Sequence, residues 1–509
     1  MTTAAVETLL LALDDARKDA STHLDPRLRA QMGQFLTPSS IATFMAEMLD
    51  CRKPTVRILD PGAGAGSLCA SLVLTLCERP KRPAIIAVTA YEIDPILVGY
   101  LHQTFDRCRR ACTGAGVSFQ ARLIEQDFLE AGAKGLAGDL FGMGEQERFD
   151  CAILNPPYRK IRTDSRERSI LRSLGLETTN LYTGFVAVAS RLLVPHGEMV
   201  AITPRSFCNG PYFEPFRRYF LREMRFRRVH VFDARDKAFG DDKVLQENVI
   251  FHAIKNTEAN PEVTVSASAE PGANLRTRTI KHEELIHPRD RHAVIHVVPE
   301  KEGEYTRDQL SRLGGTLTAL RLTVSTGRVV DFRVRDLLRA EPGKDTVPLI
   351  YSCHFNHGYV EWPNGRTRKP NALALGPRAG GLVVSTGHYV LTKRFSSKEE
   401  RRRIVAAVYD PTRVTAAQAA FENHLNYFHE GGSGLPAMLA KGLAAYLNSS
   451  LVDAYFRQFS GHTQVNASDL RSLPYPTRTA LITLGRQIGS AFPSQEELDR
   501  LVDEVLFDD

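Results

Sequence analysis

At 509 residues the chain exceeds one ordinary domain and suits two or three; its 43% hydrophobic and 24% charged shares are those of a globular protein able to bury substantial cores. No apolar run approaches membrane-spanning length, no charged-then-apolar leader opens the chain, and the eight scattered cysteines include no C-x-x-C pair, which argues against membrane, secreted, disulfide-framed and zinc-binding classes. A net charge of +6 and a pI near 8.8 are only mildly basic, so a nucleic-acid partner must be argued from where the charge sits.

Residues 1–30 read as an amphipathic helical lead-in, with Leu9, Leu10, Leu13 and Ala16 near helical spacing. From 31 to 257, strands and helices alternate, which predicts a doubly wound α/β sheet. Its first strand, Val56 to Asp60, runs into the turn Pro61-Gly62-Ala63-Gly64-Ala65-Gly66-Ser67, and a helix from Leu68 to about Cys77 follows. Glycines there permit positive φ and let a ligand approach the backbone, while the helix N–H groups face it. A dinucleotide site would look similar at this point. The next strand, Ile85–Tyr91, ends in Glu92-Ile93-Asp94-Pro95, where an acid can hydrogen-bond both hydroxyls of a ribose. A third strand, Arg122–Glu125, ends in Gln126-Asp127-Phe128, which can cap and stack an adenine. The three strand ends together select S-adenosylmethionine, with Asp60, Gly62, Gly64, Gly66, Glu92, Ile93, Asp127 and Phe128 as candidate cofactor residues.

The apolar run Phe149–Leu154 then reads as a buried strand ending in Asn155-Pro156-Pro157-Tyr158. At average composition this tetrapeptide arises by chance in about one chain in a thousand of this length. It sets an amide oxygen, a backbone carbonyl and an aromatic face on one rigid rim, the equipment for holding a planar amino group during methyl transfer. The prolines fix φ, aim the Pro156 carbonyl and remove competing N–H donors. Asn155 is also a candidate cofactor residue. Later strands are expected at Glu198–Thr203, Arg228–Phe232 and Glu247–Ala253, residues 258–300 as a linker or hairpin excursion, and 301–509 as a mixed α+β domain.

In this order the motifs resemble the gamma-type DNA adenine-N6 methyltransferases, and the stretches Gly442–Ser450 and Gly461–Leu470 are similar to the PstI/BsuBI group of modification methyltransferases. The resemblance runs from about residue 30 to 480. It implies that Gln34, Phe35, Thr37 and Pro38 pack over the methionine end of the cofactor, and that the strands after the catalytic step close the sheet with an antiparallel edge hairpin. It further implies that Phe239 is a second aromatic for a flipped adenine, opposite Tyr158, and that the C-terminal domain recognises the target. The implied partner is double-stranded DNA, with a separately encoded restriction endonuclease possible. A monomer acting at the nucleoid in the bacterial cytoplasm is expected.

Charge supplies the DNA-contact candidates. Arg159, Lys160 and Arg162 follow the catalytic step directly; Arg366, Arg368, Lys369, Lys393 and Arg394 belong to C-terminal basic stretches. A run of such residues is more often a solvated helix face. Protein glutamine and RNA adenine methyltransferases use the same amide chemistry, and a modification subunit needing a separate specificity protein would also fit. The long C-terminal half argues for self-contained recognition. No metal site is expected.

Overall fold

The computed structural model describes residues 3–140, 147–232, 247–256, 262–270, 273–288, 290, 292–297, 309–310, 312–365, 368–396, 400–459 and 464–507. The chain divides into two compact units, Met1–Pro299 and Glu300–Asp509.

The first unit is built on one sheet, whose strands are β1 (Thr55–Pro61), β2 (Ile85–Tyr91), β3 (Ser118–Ile124), β4 (Phe149–Leu154), β5 (Leu193–Pro204), β6 (Met224–Phe232), β7 (Asn248–Lys255), β8 (Glu262–Ser268) and β9 (Arg276–Lys281). They lie in the order β3-β2-β1-β4-β5-β7-β6-β8-β9. Strands β1 to β5 run parallel, and β7 sits antiparallel between β5 and β6. The alternation of side chains along a strand splits the core in two. Ile58, Cys151 and Ile153 face one apolar cluster; Leu59, Ala152 and Leu154 face the other. Each fully buried aliphatic side chain contributes roughly 1.5–3 kcal/mol.

Helices α1 (Thr3–His23), α2 (Pro26–Met32), α3 (Ser39–Met48), α4 (Ser67–Glu78), α5 (Pro95–Ala115), α6 (Phe128–Leu140), α7 (Arg166–Ser173), α8 (Leu181–Leu192) and α9 (Glu214–Glu223) connect and cover the strands. Helices α3, α4 and α5 supply one cluster, α8 and α9 the other. Because the path runs from β1 outward to β3 and then returns to β4, β1 and β4 are neighbours whose connections leave in opposite directions. The crevice beyond their carboxyl ends is where such sheets bind ligands.

Two expectations about boundaries change. The lead-in helix α1 packs on α3, α4 and α5, burying Leu13 and Ala20, and Asp14 accepts the N–H of Ser39 at 3.3 Å. It is part of the first body. The segment 258–300 does hold a hairpin, β8/β9, but β8 pairs in parallel with β6 and buries Val263, Val265 and Ala267 in the main core. The β6/β7 hairpin is therefore present without being the sheet edge.

The second unit contains a six-stranded and a five-stranded sheet with helices after them, Ala437–Leu447, Ser450–Phe459, Ala467–Ser472, Arg478–Gln487 and Gln495–Leu506. Its strands used below are β10 (Gln418–Phe421) in the five-stranded sheet and β11 (Leu425–His429) in the six-stranded one. Ile350, Ala419 and Phe421 share a core with Tyr389, Leu391 and Tyr427, so the faces of the two sheets meet.

Candidate active site

At the end of β1 the chain turns through Gly62, Gly64 and Gly66 at φ +76, +58 and +86. The N–H groups of Gly62 and Ala63 donate to the Tyr91 carbonyl at 2.9 Å each, tying the loop to the end of β2. Gly64 N–H donates to Glu92 Oε2 at 2.8 Å, and Ile93 and Asp94 N–H donate to Oε1 at 2.8 and 2.9 Å. Burial pushes the Glu92 carboxyl above the ordinary carboxylate range, against the pull of those backbone donors. This fixed acid lines a cleft together with Gly62, Gly64, Ile93, Asp127 and Phe128. Gln34, Phe35, Thr37, Asn155 and Pro157 close its other side.

The predicted cofactor residues do not all behave alike. Asp60 is fully buried and does not line the cleft: Oδ2 accepts Cys69 N–H at 3.2 Å, Oδ1 is buried without a hydrogen-bond partner among the described residues, and burial raises its carboxyl to about 7. It braces the first turn of α4 from behind the loop. Gly66 also lies off the cleft, and a Cβ there would stand 2.7 Å from Leu101 and 2.8 Å from Thr104, so this glycine serves the packing of α5. Pro38 begins α3 and is not a lining residue. Asp127 Oδ1 caps α6 by accepting Glu130 N–H at 3.0 Å. The Phe128 ring is buried between Tyr91 and Phe185, at 5.2 and 5.1 Å between centroids, which leaves Ile93, 47% exposed, as the open apolar surface. Sequence reasoning missed Met32, Leu36, Leu97, Leu181 and Phe185, which also line the cleft. Leu181 and Phe185 share a face of α8 at helical spacing, a signal that core packing produces equally well.

At the end of β4, Asn155 Nδ2 donates to the Phe35 carbonyl at 2.8 Å and to Thr37 Oγ1 at 3.0 Å. A carbonyl can only accept, so the amide orientation is fixed: the nitrogen faces Phe35. Asn155 Oδ1 is buried and has no hydrogen-bond partner among the described residues. Tyr158 N–H donates to the Gly33 carbonyl at 2.8 Å. Gly33 has φ +66, and a Cβ on it would come within 2.6 Å of the Tyr158 backbone, so only glycine permits this approach. The Tyr158 hydroxyl donates to the Ile202 carbonyl at 3.3 Å, and its ring stands 5.5 Å from Phe35 and 6.1 Å from Tyr182. Pro156 is buried between these anchored neighbours. Segments 33–37 and 155–158 thus form one rim. Phe239 lies outside the described residues.

The basic candidates divide. Arg159 lines the cleft and pairs with Glu167 at 2.6 Å. Lys160 and Arg162 are exposed and make no ion pair among the described residues. Further along, Arg168 and Arg172 both pair with Glu177, and Arg217 is buried, donating to the carbonyls of Phe207, Gly210 and His292. In the second unit Arg368 is exposed, Lys369 pairs with Asp331 at 3.1 Å, Lys393 with Glu400 at 3.7 Å, and Arg394 Nη1 donates to the Asn423 carbonyl at 2.7 Å. Arg366 lies outside the described residues. Among the described residues no group of three or more His, Cys, Asp or Glu is placed to hold a metal ion, and no helix is long and apolar enough to cross a membrane.

A family model for the Eco57I restriction-modification methylase matches residues 112–239, the stretch that contains the Asn155–Tyr158 step. Type II methyltransferase M.PstI of Providencia stuartii is 39% identical over 510 residues, 99% of this chain and 99% of that protein. Type II methyltransferase M.BsuBI of Bacillus subtilis is 41% identical over 486 residues, 94% of this chain and 95% of that protein. Among solved structures, a nuclease-deletion mutant of the Type ISP restriction-modification enzyme LlaGI matches 89% of this chain and 54% of its own, at 12% identity and a TM-score of 0.47.

Proposed function

This chain belongs to the type II restriction-modification methyltransferases, and from that premise we propose that it methylates N6 of an adenine in a short duplex DNA motif. Its methyl donor is S-adenosylmethionine. When bound, that cofactor supplies an electrophilic methyl group on a sulfonium. The cleft fits it: Glu92 Oε2, with one backbone donor, keeps acceptor capacity for a ribose hydroxyl, Ile93 gives an apolar surface for an adenine, and the glycine loop admits close backbone approach.

The observation that carries the reading is the buried, unpartnered Oδ1 of Asn155, held on the cleft by its own amide nitrogen. A buried acceptor left open is costly in a folded chain unless a ligand completes it. The adenine amino group is a poor nucleophile because its lone pair is delocalised into the ring. Asn155 Oδ1 accepts one N6–H and the Pro156 carbonyl the other, favouring a pyramidal nitrogen whose lone pair points at the methyl carbon. The transferred methyl group would form its bond to that lone pair, the electrons of the bond it leaves would stay with the donor, and the nitrogen would then release one proton to solvent. The rate gain comes from positioning and from complementarity to the developing positive charge, without a strong base. Tyr158, clamped at both its N–H and its hydroxyl, stacks on the base, which must leave the duplex to reach it. Phe239 is assigned the opposite face.

Residues from Glu300 onward take the role of target recognition, with Lys160 and Arg162 as phosphate contacts beside the site. The protein works as a monomer in the bacterial cytoplasm, and a separately encoded endonuclease cuts the same unmodified motif. Expression of this chain alone in a methylation-free host, followed by single-molecule sequencing of its DNA, tests the reading. N6-methyladenine at one short motif is expected. Unmodified DNA from a host containing folded, cofactor-binding protein would contradict it and redirect the search to a specificity partner or to an RNA or protein substrate.

A further inference from the structure

The turn between β10 and β11 carries Asn423 and His424 at its tip. Beneath it Glu422 is buried, with Oε1 2.6 Å from His424 Nδ1 and Oε2 accepting His424 N–H at 2.9 Å. The His424 side chain itself is 53% exposed, and among the described residues its Nε2 has no partner. Phe395, 44% exposed, packs edge-on against the ring at 5.0 Å. Three distant stretches build this tip. Arg394 N–H donates to the His424 carbonyl at 2.9 Å, and Val465 N–H donates to the Arg394 carbonyl at 2.6 Å. On the other side, Asn423 N–H donates to the Val329 carbonyl at 2.8 Å.

Stability alone does not explain the arrangement. Burial pushes the Glu422 carboxyl up, and a second carboxylate, Asp331, adds to the effect. A hydrogen-bonded contact with one partner half in water returns little of that cost, and an apolar pair would hold the turn at least as well. What a buried carboxylate on Nδ1 does achieve is a fixed ring direction, with the other ring nitrogen presented outward. A pre-oriented imidazole beside an exposed aromatic ring, with Lys393 and Arg394 adjoining, is equipment for reading base edges in a groove.

We propose that His424 reads a base of the target motif through Nε2, with Glu422 as its positioning residue and Phe395 packed alongside. This rests on the DNA-methylation reading above. The test expresses the full chain, wild type and His424→Ala, His424→Asn and Glu422→Gln, in the methylation-free host and sequences the methylated sites. Purified proteins are compared for cofactor affinity, thermal midpoint and kcat/KM on cognate and single-substitution duplexes. For His424→Ala, kcat/KM on the cognate duplex should fall roughly 10- to 100-fold, and discrimination at one position of the motif should be lost. His424→Asn should alter the preferred base at that same position, and Glu422→Gln should give a smaller loss of discrimination there. Cofactor affinity and thermal midpoint should stay at wild-type values. An unchanged motif at an unchanged rate would overturn the assignment, as would an equal loss on every sequence with a shallower salt dependence, the mark of a phosphate contact. A wild-type chain that methylates no DNA would overturn the parent reading and this one with it.

Discussion

The catalytic rim at residues 33–37 and 155–158 and the polar stretch at 351–371 contain similar side chains and end up in opposite conditions. On the rim, backbone and amide hydrogen bonds hold Asn155 and Tyr158 from the side, and Asn155 Oδ1 stays open. In the polar stretch the groups satisfy one another. His354 Nδ1 accepts Tyr351 N–H at 3.0 Å, its Nε2 meets Asn371 Oδ1 at 3.0 Å, and Trp362 donates to the Asn371 carbonyl at 2.6 Å. Asn364 Nδ2 donates to the Cys353 carbonyl at 2.9 Å. His, Asn and Trp there look like a DNA-reading set by residue type, yet they close a fold. A polar residue marks a site when it lines the cleft and one of its atoms stays open after folding: Asn155 meets both conditions, whereas Asp60, with an open Oδ1, lies off the cleft.

Substitutions on each side put this contrast to experiment. The largest effect is expected from Gly33→Ala, which adds a Cβ within 2.6 Å of the Tyr158 backbone at a φ of +66. Displacing the rim should cost at least about 100-fold in kcat, read in a methyl-transfer assay, while the second unit keeps its hydrogen-exchange protection. Next, Asn371→Ala should destabilise the second unit by roughly 2–3 kcal/mol by orphaning His354 Nε2 and the Asn364 N–H. Denaturant unfolding measures it, and unchanged cofactor affinity is expected. Thr37→Val removes one acceptor of the Asn155 amide; about a tenfold loss in kcat is expected, with Thr37→Ser restoring it. Equal losses from both Thr37 variants would remove the positioning role.

The smallest effect belongs to a surface charge. Asp14 is partly buried, which opposes ionisation, but Arg17 and Lys18 outweigh this and bring it to about 2, below its ordinary 3.8. A depressed carboxyl stabilises the fold above about pH 4, and the contribution fades as pH falls towards 2. Asp14→Asn should therefore cost about 1 kcal/mol or less at pH 7, screened by solvent and salt, with the cost shrinking towards zero as the pH falls through about 2. Chemical denaturation across that range checks it.

How much of this was legible in the sequence varies with how local the cause is. The strand Ile85–Tyr91 occurs with its predicted bounds, and the helix after the glycine loop differs by one residue at each end, because periodicity and turn residues set them locally. The strand-end motifs converge because parallel strands carry all their carboxyl ends to one side. The bond from Asn155 to Phe35 spans 120 residues, and no spacing rule announces it. Strand β8 reads as Val-x-Val-x-Ala alternation, yet its parallel pairing with β6 is a tertiary fact. Charge runs were the weakest guide. Arg217 sits in an Arg-rich run but faces inward from α9, where three carbonyls take its guanidinium.

Asn155→Ala removes the open oxygen proposed to hold the amino group during transfer, and cofactor affinity and single-turnover methyl transfer are then measured on the same preparation. Cofactor affinity within threefold of wild type, with transfer reduced at least about 100-fold, is the predicted result. Transfer at the wild-type rate would contradict the account, because the atom assigned to hold N6 would be absent.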